Sequence, residues 1–152
     1  MKSIVMRNHF KVLFSDKNRR LTLLLLALAI IAITIGLIIG ISDNPPGIII
    51  LYAGIILLII SLVYIWRKIR PFLILLVVSI VGIPVFAVLH NIFYGIAELT
   101  SEVKVLPEML SFFDAMSFLI ALIICPSAII VGMGGALILF VKRKKSEANI
   151  SF

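Results

Sequence analysis

The chain has 152 residues, of which 62% are hydrophobic and only 14% are charged, and its mean hydropathy is +1.27. A soluble domain averages about 25% charged residues, so this chain has too little polar surface to enclose a soluble core. These values exclude a soluble globular protein and predict an all-α integral membrane protein. The net charge of +7 does not indicate nucleic-acid binding, because the basic residues flank the apolar segments.

Four long apolar segments follow a basic N-terminal segment, residues 1–20. About 20 helical residues cross a hydrocarbon core of about 30 Å, so segments of this length predict spanning helices. The runs lack the alternation of barrel strands. The first run is also too long for the apolar core of a cleaved signal peptide. The predicted transmembrane domain is 21–141, with approximate spans at 21–41, 46–66, 72–94 and 114–141, an external loop at 95–111 and a basic tail at 142–152.

The basic residues predict the orientation of these helices. All but one of the 14 Lys and Arg residues lie before the first span, between the second and third, or after the fourth. The exception is Lys104, in the predicted external loop. The positive-inside rule therefore predicts a four-transmembrane-helix bundle in the cytoplasmic membrane, with both termini in the cytoplasm. The partners expected at that face are the lipid bilayer and its anionic headgroups, and no nucleic acid.

Two of the connections are short. The turn that ends in Pro45 and Pro46 predicts that the first two helices form an antiparallel hairpin. The turn Arg67–Arg70, followed by Pro71, is equally tight, so the second and third helices are also predicted to be neighbours.

Small residues recur at four-residue spacing on the first and fourth predicted helices, which brings each set onto one face where another backbone can approach closely. Two interpretations remain open: packing inside the bundle, or contact with a second copy or a larger membrane-protein partner. The sets are Ala32, Gly36 and Gly40 on the first helix and Ala128, Gly132 and Ala136 on the fourth. Pro84 and Pro126 lie within spans and predict kinks.

The sequence offers few groups for chemistry. Cys125 is the only cysteine, which excludes an intramolecular disulfide and a cysteine-based metal cage. We expect it to be a packing residue. The common hydrolase and metalloprotease motifs do not occur. The sequence therefore predicts no catalytic residue, no metal and no cofactor.

One polar cluster stands out near the external end of the third helix. His90, Tyr94, Glu98 and Glu102 follow at intervals of four, and Asn91 is adjacent. Asp114 starts the fourth span and faces the same loop. A histidine with carboxylates can bind a divalent cation or relay protons. The alternative is anchoring of His90, Asn91 and Tyr94 at the membrane interface.

These features favour a non-enzymatic accessory or assembly subunit that acts through helix contacts. A small oligomeric transporter or channel is the alternative, based on the prolines and the outer polar cluster. The absence of charged residues deep in the spans argues against it. A membrane enzyme, supported only by His90 and the acidic external loop, is the third hypothesis. No motif in the sequence is diagnostic of a known family.

Overall fold

The computed structural model describes residues 16–40, 44–100 and 106–148, and every regular element in this part of the chain is helical. In chain order the elements are α1 (Asp16–Ile39), α2 (Pro45–Val63), α3 (Ile69–Leu99), α4 (Leu106–Leu119), a π-helical turn (Ile120–Ile124) and α5 (Cys125–Ala148). The last three follow without a break and form one long helix. The described chain thus contains four helices long and apolar enough to cross a membrane, which confirms this part of the predicted fold.

Several described helices extend beyond the predicted spans. Helix α3 continues to Leu99 and α4 begins at Leu106, so most of the predicted external loop 95–111 is helical. Close to these extensions, α3 and α4 pack on each other, with the rings of Phe93 and Phe113 5.7 Å apart. Helix α5 likewise continues to Ala148, into the predicted tail 142–152. Lysine and arginine are good helix formers and are favoured at a helix C-terminus.

Helices α1 and α2 form the predicted hairpin through a close contact between backbones. An added Cβ at Gly36 would lie 2.9 Å from the backbone nitrogen of Leu51. At Gly47 it would collide with the carbonyl oxygen of Gly40. Gly40 ends α1 at a φ of +91°, which favours glycine. The hairpin therefore depends on glycines on both of its helices.

A second close contact joins α5 to α3. A Cβ at Gly132 would lie 3.1 Å from the carbonyl oxygen of Phe72 and the backbone nitrogen of Leu76. At Gly135 it would collide with the Phe72 ring. Phe72 also forms a buried apolar cluster with Val63 of α2 and Val131 of α5. Helix α5 thus packs on both α2 and α3.

The packing order of the helices differs from their order in the chain. Helix α1 packs on α2, α2 packs on α5, and α5 packs on α3, which also packs against α4. The prediction that the second and third helices are neighbours is wrong beyond their turn, since the described parts of α2 and α3 share no extensive interface. The four long helices form an open row in the order α1, α2, α5, α3.

Candidate functional site

His90 of α3 and Asp114 of α4, two residues of the predicted outer polar cluster, come into direct contact. His90 Nδ1 and Asp114 Oδ1 are 2.5 Å apart, within ion-pair distance. Their side chains are 31% and 18% exposed, and the two contacting atoms are buried. Neither atom has a well-formed hydrogen bond with any other described group, so each depends on the other. The two residues form a sequestered polar pair between helices.

Aromatic rings of α3 and α4 lie near this pair. The His90 ring is 5.2 Å from that of Phe118, one helical turn beyond Asp114. The contact between Phe93 and Phe113 lies next to it, and Phe112 packs against Phe113 at 5.9 Å. An apolar surrounding strengthens the attraction within a polar pair and raises the free-energy cost of breaking it.

The register of the pair follows from the helix lengths. His90 lies nine residues before the end of α3, and Asp114 lies eight residues after the start of α4. At 1.5 Å per residue, the two are about 12 to 14 Å from the same connection. Antiparallel packing therefore brings them to the same level.

The other residues of the predicted outer cluster do not join the pair. The side-chain amide of Asn91 donates to the Ala87 carbonyl of its own helix at 2.8 Å. Tyr94 and Glu98 are exposed on α3. Glu102 lies outside the described residues. Within residues 16–40, 44–100 and 106–148, no three His, Cys, Asp or Glu side chains are arranged to hold a metal ion.

Pro126 lies directly after the π-helical turn, and Tyr52 contacts the same region from α2. Pro126 has no N–H to donate to the Leu122 carbonyl, four residues before it. The Tyr52 hydroxyl donates to that carbonyl instead. The N–H of Cys125 bonds to the carbonyl of Ile120, five residues back, as in a π-helix. Pro84, by contrast, lies within a continuous α3.

The predicted packing residues lie mostly between helices of the same chain. Gly36 faces α2, and Gly132 faces α3. A Cβ at Gly40 would meet no atom within 4 Å, and this residue approaches α2 through its carbonyl group. Ala128 is buried, whereas Ala32 and Ala136 are half-buried. Sequence reasoning missed Ala29 on α1, which is fully buried and whose carbonyl is 3.2 Å from a Cβ added at Gly54.

A basic cavity lies at the end of the row opposite the His90–Asp114 pair, where the α2–α3 turn meets the end of α5. We call this the basic end. The cavity has a volume of about 550 Å³. It is lined by five cationic residues together with Ile69 and Leu139; the five are Arg67, Lys68, Arg70, Lys142 and Arg143.

An apolar groove of about 370 Å³ joins this cavity and runs between α2 and α5. Its walls include Ile56 and Ile60 of α2 and Val131, Gly134 and Ile138 of α5. Trp66 lines its basic end and packs edge-on against Phe72, with ring centroids 5.1 Å apart. The cavity and the groove share three lining residues, which are Arg67, Leu139 and Lys142.

No protein-family model, no curated protein and no solved structure matches the chain.

Sequence reasoning did not find the groove, because it depends on α5 lying beside α2. Hydrophobic pattern gives little information on helix order when every helix is apolar on all sides. The single tryptophan next to three clustered cations was the available signal, since tryptophan is enriched at membrane interfaces.

Proposed function

We propose that the chain is a multi-pass protein of the cytoplasmic membrane, with both termini and the basic end in the cytoplasm. Its four long helices carry large exposed apolar side chains, such as Ile38 at 79% and Ile49 at 66%. Such side chains are suited to lipid. The described cations lie at the basic end, and Glu98, Glu108 and Asp114 lie toward the other. The positive-inside rule assigns the basic end to the cytoplasm.

A reporter fusion tests this orientation. Green fluorescent protein at the C-terminus should fluoresce, and alkaline phosphatase at the same position should be inactive, because that enzyme folds only outside the cytoplasm. Strong phosphatase activity from the C-terminal fusion would overturn the proposed orientation. A phosphatase inserted after Leu99 is the matched control and should be active.

Within that membrane, we propose that the protein is a non-enzymatic accessory or assembly subunit that acts through helix contacts. The observation that carries this proposal is the open row. Helix α1 lies at one edge and packs only on α2 among the described helices. Its opposite face is formed by large, exposed side chains, including Leu24, Ile31 and Ile38. A row of this kind encloses no central passage between its helices, which favours action together with another membrane chain.

Cysteine cross-linking tests whether the α1 edge contacts another chain. Cys125 is buried and is replaced by Ala, and one cysteine is then introduced at Ile38 on the α1 edge. Ile49 of α2 is the control, because it too lies within about one helical turn of the α1–α2 connection and is also exposed. We expect a membrane-permeant bifunctional maleimide to capture a second chain from Ile38→Cys and not from Ile49→Cys. A lone monomer in mild detergent at every concentration, with no difference between the two positions, would contradict the proposal.

A small oligomeric transporter is the second candidate, and the His90–Asp114 pair favours it. Ionisable groups sequestered between helices are frequent in ion and proton pathways. Liposomes containing the protein should then show cation or proton flux that His90→Ala abolishes. Flux equal to that of empty liposomes would remove this candidate.

A further inference from the structure

We propose that the basic cavity and the apolar groove together bind one anionic phospholipid, with its phosphate in the cavity and one acyl chain in the groove. This site requires that the chain spans a bilayer, but it does not depend on the accessory role proposed above.

The cavity has the chemistry of a phosphate site. It is lined by five cationic residues from two separate parts of the chain, the α2–α3 turn and the end of α5. It also adjoins the N-terminus of α3, where Lys68 makes no side-chain capping bond. The first N–H groups of a helix and its dipole favour an anion. Glu98, Glu108 and Asp114 lie toward the opposite end of the row.

The groove has the dimensions of an acyl-chain site. Its lining on α5 extends from Ile130 to Lys142. This is about 18 Å at 1.5 Å per residue. One leaflet of hydrocarbon is about 15 Å thick, half of the roughly 30 Å core. A Cβ added at Gly134 would meet no atom within 4 Å, so this wall of the groove is open.

The connection between the two spaces points to an amphiphile. Arg67 and Lys142 line both of them, so an anion beside these cations is next to the apolar channel. A free anion would use only the cavity, and a neutral hydrocarbon only the groove. A phospholipid of the surrounding membrane uses both, and basic pockets between helices at the cytoplasmic face are suited to its headgroup.

Trp66 allows a direct measurement, because it is the only tryptophan of the chain and lies in the groove. The full chain is reconstituted in phosphatidylcholine vesicles that contain a fixed fraction of lipid with brominated acyl chains, which quench tryptophan fluorescence on contact. The brominated lipid is either phosphatidylglycerol or phosphatidylcholine. We expect brominated phosphatidylglycerol to quench Trp66 more strongly. Equal quenching by the two lipids in the unaltered protein would overturn the proposal.

Three variants test the two halves of the site, each after circular dichroism has shown native helix content. Arg67→Gln with Lys142→Gln should lower the preference for the anionic lipid, by roughly fivefold for each cation. Lys144→Gln with Lys145→Gln is the matched control, since it removes the same number of positive charges from the same end of the row but from outside both spaces. An equal loss in the control would mean that only surface charge is measured, which would overturn the site.

Gly134→Phe should fill the groove and reduce quenching by both brominated lipids, because the position is open. Unchanged quenching in this variant would exclude the acyl chain from the groove. Inorganic phosphate distinguishes a lipid headgroup from a free anion. It should not reverse the quenching, and reversal by phosphate at constant ionic strength would replace the lipid site by a site for soluble anions.

Discussion

The hydroxyl of Tyr52 donates a hydrogen bond to the carbonyl of Leu122, the carbonyl that Pro126 leaves without its usual partner. The bond connects α2 to the π-helical turn between α4 and α5. A phenolic hydroxyl within an apolar span needs an acceptor, and a proline within a helix leaves an acceptor unused. The Tyr52 hydroxyl thus compensates for the N–H that Pro126 lacks, and the Leu122 carbonyl provides the acceptor that this hydroxyl needs.

Removing this hydroxyl should destabilise the protein through its effect on Leu122. We expect Tyr52→Phe to lower the free energy of unfolding by about 1 kcal/mol, the usual range for hydrogen bonds between membrane helices. Pro126→Ala restores an N–H, so Tyr52→Phe should cost less in that background. A double-mutant cycle of thermal unfolding in mild detergent measures this coupling. Tyr94→Phe, at an exposed tyrosine, is the control and should have no effect. Equal costs of Tyr52→Phe in both backgrounds would contradict the compensation.

The His90–Asp114 pair should show strong coupling. His90→Ala or Asp114→Ala alone leaves a buried polar atom without its partner, and each should cost about 1 to 3 kcal/mol of stability. The double variant should cost less than the sum, because it leaves neither atom unpaired. Glu98→Ala removes an exposed carboxylate of α3 and should be neutral. Additive single effects would indicate that the pair contributes no mutual stabilisation.

Ser127 should behave in the opposite way to the other buried serines. Its side chain is fully buried, and its hydroxyl has no hydrogen-bond partner among the described residues. Ser127→Ala removes this unsatisfied group and should raise the unfolding temperature. Ser79 is the matched control, because its hydroxyl donates to the Leu75 carbonyl at 2.7 Å. We expect Ser79→Ala to bring no such gain. A lower unfolding temperature for Ser127→Ala would show that its hydroxyl has a partner.

The α1–α2 hairpin should not tolerate a side chain at Gly47. Gly47→Ala places a Cβ against the Gly40 carbonyl and should cost about 1 to 3 kcal/mol, as overpacking usually does. Gly95→Ala is the control, since a Cβ there meets nothing within 4 Å. Alanine is the better helix former, so that variant should be neutral or more stable by up to about 1 kcal/mol. Equal unfolding temperatures for the two variants would contradict the close backbone contact.

The sequence predicted the helices well because length and composition determine them in lipid. The sequence placed His90 and Asp114 on either side of the same loop, but it did not predict their contact, because the predicted spans put the two residues at different distances from that loop. The predicted external loop 95–111 includes residues that are helical in the structure. Apolar length predicts only the part of a helix that is needed to cross the hydrocarbon core, and it does not predict where the helix ends beyond that core. The position of α5 between α2 and α3 could not be predicted, since hydrophobic pattern does not specify which helices are neighbours when each is apolar on all sides.

The position of α5 has a consequence for how the chain is made. The ribosome releases α1 and α2 first, and their glycine contact can form while the rest is still being translated. Helix α3 emerges next, and it has no extensive interface with α2. Helix α5 emerges after both, yet it occupies the place between them. Helix formation can therefore follow the order of synthesis, whereas final assembly must wait for α5 to enter between α2 and α3, which are made before it.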